Sequence, residues 1–292
     1  MTVVAERFAA VVREHVVLSL VNLPVHPVVM GIFGPPGEGK TFQLRAVLDS
    51  LSVRTVSISA ADFESERAGV PGKDLLAAYV GAARDIHAKR PTCVVIDDID
   101  TTVGEWENNT GTVNHQQVLA QLMHLADRPC DIERIGRVDR VPIFITGNDF
   151  GKLYPPLRRP GRMAALHWSP TGDERRLVVT EILSGLVEPN VVENLLVSYP
   201  RHPVSFFGEL RSSLIRFGAA SIIRRLADDL ILISGEADRY RRHLEVAIRH
   251  HLDPIAVEQA AAALHEQHQA ANRAYLTPAY LVSAPAASQV IE

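Results

Sequence analysis

The sequence predicts an α/β domain built on a parallel sheet, followed by a smaller all-helical domain. Three observations predict it. Continuous apolar runs recur at residues 28–33, 92–96 and 141–145, as strands buried on both faces require. Segments of helical periodicity separate them, the alternation that parallel strands need for their crossovers. From Thr171 the strand signals stop, and helical periodicity holds to about Arg273. A chain of 292 residues, 47% apolar, has material for one large and one small packed domain. The expected division is an N-terminal helix over 1–25, the α/β domain over 26–170, the helical domain over 171–275 and a flexible tail over 276–292.

Residues 3–23 are rich in apolar side chains, but Glu6, Arg7, Arg13, Glu14 and His15 interrupt them. No uncharged stretch is long enough to span a bilayer, and the signal-peptide order of charge, apolar run and cleavage site is missing. An amphipathic helix packed on the next domain is expected, with no membrane as partner. The net charge of −4, without a basic block, speaks against nucleic acid. Cys93 and Cys130 are too few for a disulfide framework, which predicts a reducing, cytoplasmic setting.

The first strand runs directly into Gly34-Pro35-Pro36-Gly37-Glu38-Gly39-Lys40-Thr41, and a helix-forming segment follows over 42–51. Strand, glycine loop and helix in this order make a P-loop, hence a nucleoside triphosphate site. The glycines let backbone N–H groups turn inward around a β-phosphate, and the helix N-terminus adds its dipole. Lys40 would reach the β- and γ-phosphates as a point charge, and the Thr41 hydroxyl would ligate Mg²⁺. The expected nucleotide contacts are Gly34, Pro35, Pro36, Gly37, Glu38, Gly39, Lys40, Thr41 and Phe42.

Residues 53–58 alternate as a second strand, and 74–89 read as a helix after a polar loop. The third strand then delivers Asp97 and Asp98 at its C-terminal edge, where ligands bind in open parallel sheets. Strand alternation points the two carboxylates apart. Asp97 is expected to hold Mg²⁺ through its water shell and Asp98 to polarise the attacking water. A helix over 115–128 leads to the strand 140–146, which ends in Gly147-Asn148-Asp149. Asn148 beside Asp98 would orient the water and sense the γ-phosphate. In Arg158-Arg159-Pro160-Gly161-Arg162, Arg159 and Arg162 offer the guanidinium best suited to charge on a transferring phosphoryl group. They follow the sensing strand on the far side of the sheet, so they are expected to face a neighbouring subunit's nucleotide. Residues 163–168 give the fifth strand.

Thr171-Gly172-Asp173-Glu174 reads as a capping box that opens the helical domain. Pro189, Pro203 and Pro254 punctuate that domain at first-turn positions. Arg211 is expected at a helix start, reaching back to the γ-phosphate. His265 and His268 could share a helix face, but without a third ligand at suitable spacing they read, with His250 and His251, as solvated helix surface.

This ordered set resembles the AAA+ ATPases: a Walker A motif at 34–41, a Walker B motif at 94–98, sensor 1 at Asn148, an Arg-Pro-Gly-Arg finger at 159–162 and Arg211 in a helical lid. Segments 39–43, 141–150, 153–163 and 205–211 further resemble the Rubisco activases of plant and cyanobacterial type, and 112–127 resembles their second pore loop and the helix after it. The resemblance implies ATP and Mg²⁺ as cofactors and a ring homo-oligomer, usually a hexamer, with nucleotide at subunit interfaces. It also implies ATP-driven remodelling of a protein client, with Rubisco the leading candidate. Asp98 stands where many such ATPases use the longer Glu, and slow hydrolysis would be one consequence; a nucleotide-switched assembly factor is the alternative. Glu66 and Arg67 stand where many threading members carry an aromatic pore residue, a role Phe63 or Trp106 would otherwise have to fill.

Overall fold

The computed structural model describes residues 3–59, 70–102, 113–226, 230–242 and 253–275. The pore positions Phe63, Glu66, Arg67 and Trp106, the pair His250–His251 and the tail over 276–292 lie outside them. The chain divides into two compact units, Met1–Val178 with Pro203–Ser205, and Val179–His202 with Phe206–Glu292.

The first unit holds β1 (Val29–Phe33), β2 (Arg54–Ser59), β3 (Thr92–Asp97), β4 (Asp131–Ile132), β5 (Gly136–Arg137), β6 (Ile143–Gly147) and β7 (Met163–His167). Five of these form one parallel sheet in the order β2-β3-β6-β1-β7, and β4 and β5 form a separate antiparallel pair. All five predicted strands are present, with ends shifted by at most three residues. The β4–β5 pair was not predicted. Its turn carries Arg134 at φ +66° and β5 opens on Gly136 at φ +92°, without the Asn-Gly or Asp-Gly signature of a tight hairpin.

Helices cover both faces of the sheet, as parallel strands demand. The helices α1 (Glu6–Leu20) and α2 (Lys40–Ser50) pack Phe8, Val12, Leu44 and Leu48 on Met30, Ile32, Val95 and Phe144. On the other face, α3 (Val70–His87) and α5 (Val113–Asp127) pack Leu75, Tyr79, Val118 and Leu122 on Val94, Ile96, Ile143 and Ile145. Each fully buried side chain of this size contributes about 1.5–3 kcal/mol. The short α4 (Ile99–Thr102) joins β3 to the segment before α5.

The helix expected over 1–25 is shorter, Glu6–Leu20. Phe8 meets Trp168 edge-on at 4.9 Å, and the Arg7 guanidinium lies 4.7 Å from the Trp168 ring centre while bonding both carboxylate oxygens of Glu174. His15 is fully buried against Phe144, with Nδ1 2.9 Å from His26 Nε2; burial pushes its pKa down to about 3, so the ring stays neutral. Among the described residues no helix is long and apolar enough to cross a membrane.

The capping box forms: the Thr171 N–H donates to Glu174 Oε2 at 2.8 Å, and the Glu174 N–H to Thr171 Oγ1 at 3.3 Å. It opens α6 (Gly172–Leu183), which passes into the second unit. That unit adds α7 (Pro189–Ser198), α8 (Val204–Leu226), α9 (Leu230–Gly235) and α10 (Pro254–Tyr275) around Leu183, Leu195, Phe206, Phe207, Leu210 and Leu264. Pro189 and Pro254 open their helices, and Pro203 immediately precedes α8. The histidine reading needs correction. His265 and His268 are half-buried, the first bonded to His202 (Nδ1 to Nε2, 2.7 Å) and the second to Glu209 (2.8 Å). A partner 63 residues away converts an apparent solvent face into a helix contact.

Candidate active site

The sheet register gathers the chemistry at one edge. Phe33 pairs with Gly147, and Ile96 with Ile145, so the phosphate loop, the Asp97–Asp98 pair and Asn148 all leave the C-terminal ends of neighbouring strands. Within the loop, Gly34 (φ +145°) lies so close to the Trp168 carbonyl that a Cβ would overlap it. Gly37 (φ +75°) is as tight against Pro203 and Ser205, whose N–H donates to its carbonyl at 2.9 Å. Glycine is required at both by conformation and by space. The Glu38 carboxylate lies 3.8 Å from Arg175, and burial raises its pKa.

Lys40, the first residue of α2, is 7% exposed. Its Nζ donates to the carbonyls of Gly34 and Pro35, both at 2.8 Å, and to Asn148 Oδ1 at 3.0 Å. Burial pulls its pKa down, while the charges of Asp98, Asp100 and Glu38 pull it back up. Every hydrogen-bond partner is an oxygen that phosphate oxygens could replace. Phe42, two residues on, is 58% exposed on α2.

The strand alternation that makes Val95 face α2 puts Asp97 on the same side. There its Oδ2 accepts from Arg45 at 2.7 Å and its Oδ1 from the Thr146 hydroxyl at 3.0 Å. Thr146 Oγ1 also lies 3.5 Å from Thr41 Oγ1. One hydroxyl and one carboxylate, drawn together by Thr146, fit a Mg²⁺ ion that completes its shell with phosphate oxygens and water.

Asp98 needs a correction. Alternation does not orient it, because β3 ends at Asp97 and Asp98 adopts φ +53°, the left-handed region. Its N–H donates to Thr146 Oγ1 at 3.2 Å. Burial and then the charges of Asp97 and Asp100 raise its pKa, against the pull of Lys40. An exposed carboxylate of raised basicity beside the phosphate loop suits the activation of water.

Residues 30–170 match the family model described as "ATPase family associated with various cellular activities (AAA)". The chain belongs to the AAA ATPase family. It is also similar to ribulose bisphosphate carboxylase/oxygenase activases. It shares 38% identity with that of an Anabaena species, over 72% of this chain and 53% of the relative. The activase of a Nostoc species is 34% identical over 78% and 58%, and the chloroplastic protein of Cucumis sativus 35% over 72% and 53%. The chain thus spans about half the length of these curated relatives.

Within this AAA domain the two arginines expected to act together are split. Arg162 turns inward and bonds both carboxylate oxygens of Asp127 on α5, each at 2.7 Å, and the Pro156 carbonyl. Arg159 is exposed and makes no side-chain hydrogen bond among the described residues. Gly161 at φ +92° closes the turn that separates them. Arg162→Ala and Asp127→Ala are therefore expected to lower the melting temperature by similar amounts, and the double substitution by no more than either. An Arg162→Ala protein with an unchanged melting temperature and no turnover would return Arg162 to the nucleotide.

Arg211 lies seven residues inside α8 rather than at its start, and its guanidinium bonds the carbonyls of Ile182 and Ser184 at the end of α6. Carbonyls at a helix C-terminus attract cations, which accounts for that placement. Thr146, Arg45 and Asp100 were absent from the sequence reading. A threonine directly continuing the apolar run 141–145 was the one signal the sequence offered for the first. Arg45 carried none, since its role depends on meeting Asp97 52 residues away.

Proposed function

We propose that the chain hydrolyses ATP with Mg²⁺ as a ring homo-oligomer, most simply a hexamer, and uses that hydrolysis to remodel a protein client, with Rubisco the leading candidate and the cytoplasm the setting. One observation carries the reading: Lys40, Asp98 and Asn148 meet at a single edge of the sheet, the Lys40 ammonium bonded to the Asn148 amide at 3.0 Å. The residues divide the work. Loop N–H groups and Lys40 bind the β- and γ-phosphates; Thr41 and Asp97 would hold Mg²⁺, which supplies charge neutralisation. Asp98 accepts the proton of the attacking water, and Asn148 orients that water against the γ-phosphate. The activase likeness supplies the client, and the coverage of about half of each relative leaves client recognition to experiment.

Asp98→Asn should keep nucleotide affinity and assembly but lower turnover by about 10²–10⁴, the usual contribution of a positioned base. Single-turnover hydrolysis and an equilibrium titration check it; turnover persisting at the wild-type rate would remove Asp98 from that role. The client is tested by adding purified protein and ATP to Rubisco inhibited by a tight-binding sugar phosphate. Recovery of carboxylation supports the activase reading. ATP-dependent assembly with negligible turnover would favour the second reading, a nucleotide-switched assembly factor, which the short carboxylate and left-handed backbone of Asp98 favour.

A further inference from the structure

The third carboxylate of the Asp97-Asp98-Ile99-Asp100 stretch has no part in the chemistry above, yet it is the most buried of the three. Asp100 is 6% exposed. The left-handed turn at Asp98 starts α4 and swings Asp100 beneath the end of β6. There a single oxygen, Oδ2, accepts the backbone N–H groups of both Asn148 and Asp149, each at 2.9 Å. Its other oxygen, Oδ1, is buried without a hydrogen bond. It lies against Gly147, where any Cβ would collide with the carboxylate. Gly147 thus opens the space that Asp100 fills.

Gly147 in β6 and the buried Phe150 anchor the two ends of the turn, and between them the N–H groups of Asn148 and Asp149 bond only Asp100 among the described residues. Asn148 is exposed, and its amide oxygen touches only Lys40 among the described residues. The Asp149 side chain is engaged further along, accepting from the Gly151 N–H at 2.8 Å. An exposed amide is placed by its backbone, and this backbone is fixed from outside the loop by one carboxylate. Charge-assisted bonds to two successive N–H groups are well suited to that task.

We propose that Asp100 is a positioning residue for Asn148: its carboxylate fixes the turn after β6 so that the Asn148 amide stands over the phosphate loop. The proposal rests on the hydrolytic reading given above and adds a residue to it. Asp100 acts on the chemistry only through the turn.

The test compares Asp100→Ala, Asp100→Asn, Asn148→Ala and the double variant Asp100→Ala/Asn148→Ala in the full chain. In nucleotide-free protein, hydrogen exchange at the Asn148 and Asp149 amides should accelerate in Asp100→Ala and stay slow in Asp100→Asn, whose remaining oxygen still accepts both. Asp100→Ala should lower kcat on the order of 10²-fold, as a misplaced positioning group does, with little change in KM for ATP. Asp100→Asn should restore kcat, and the double variant should be no slower than Asn148→Ala alone. Additive losses in the double variant, or unchanged amide exchange in Asp100→Ala, would overturn the assignment. Should Asp100→Ala not fold, Asp100→Asn decides: protected amides with near wild-type turnover support it, and protected amides with turnover lost overturn it. A wild-type protein that binds ATP but never hydrolyses it would instead sink the hydrolytic reading, while the exchange comparison still judges the tether.

Discussion

Lys40→Ala is expected to abolish measurable ATP binding. The ammonium occupies a slot between two main-chain carbonyls, 2.8 Å from each, and reaches Asn148 at 3.0 Å. Truncation leaves those three acceptors facing one another without a donor, and a charged hydrogen bond of this kind is worth about 1.5–3 kcal/mol. The electrostatic loss adds to it. Asp97 ends β3, with Asp98 and Asp100 just beyond it, and the charge of Lys40 balances the last two. Without it, phosphate would meet a site of one sign. A loss of two such bonds alone weakens affinity by about 10²-fold or more, at roughly 1.4 kcal/mol per tenfold. Lys40→Arg should fail to rescue, because a planar guanidinium cannot enter a slot shaped for a point charge. Isothermal titration with ATP and Mg²⁺ measures both, and an unchanged affinity in Lys40→Ala would refute the phosphate role.

Why Lys40 was legible and Arg162 was not comes down to the range of the interactions. The phosphate loop is local: its glycines, its lysine and the strand and helix that flank it lie within about twenty residues, so sequence order nearly determines geometry. The side of Asp97 was also legible, since period-two alternation carries from Val95 to the strand's last residue. Alternation failed one residue later, where the backbone turns left-handed at Asp98. Read in one dimension, Arg162 and Arg211 pointed to a nucleotide and His265 to solvent. Each was reassigned by a partner distant in sequence: Asp127, the Ile182 and Ser184 carbonyls, and His202. Asp100 was given no role because nothing in Asp97-Asp98-Ile99-Asp100 reveals which carboxylate will fold back beneath β6. The helical domain shows the same division. Its capping box and opening prolines were legible, while the contacts that tie its helices together were not.

Arg159→Ala should reduce turnover by about 10³–10⁵, the range of a guanidinium supplied to a transferring phosphoryl group, while leaving the protein's own nucleotide affinity intact. The sheet explains both halves of that expectation. Met163, which opens β7, pairs with Val29 at the start of β1, whereas the phosphate loop leaves β1 after Phe33. Arg159 therefore sits near the opposite edge of the sheet, and the four steps from Val29 to Phe33 put about 13 Å of strand between that edge and the phosphate loop. The turn that carries it is firm, with the Leu157, Arg158 and Arg162 N–H groups donating to the carbonyls of Tyr154, Pro155 and Arg159, and with Leu157 buried in the core. An exposed arginine held at the sheet edge opposite its own phosphate loop is placed to serve another chain's nucleotide. Mixing decides it. Arg159→Ala keeps a working phosphate loop and lacks the finger; Lys40→Ala lacks the loop and keeps the finger. Each alone should be inactive, and equimolar mixtures should recover turnover at every interface where an intact Arg159 faces an intact Lys40. Mixtures as inactive as their components would mean that no subunit completes its neighbour's site, and the ring reading would fall with the finger.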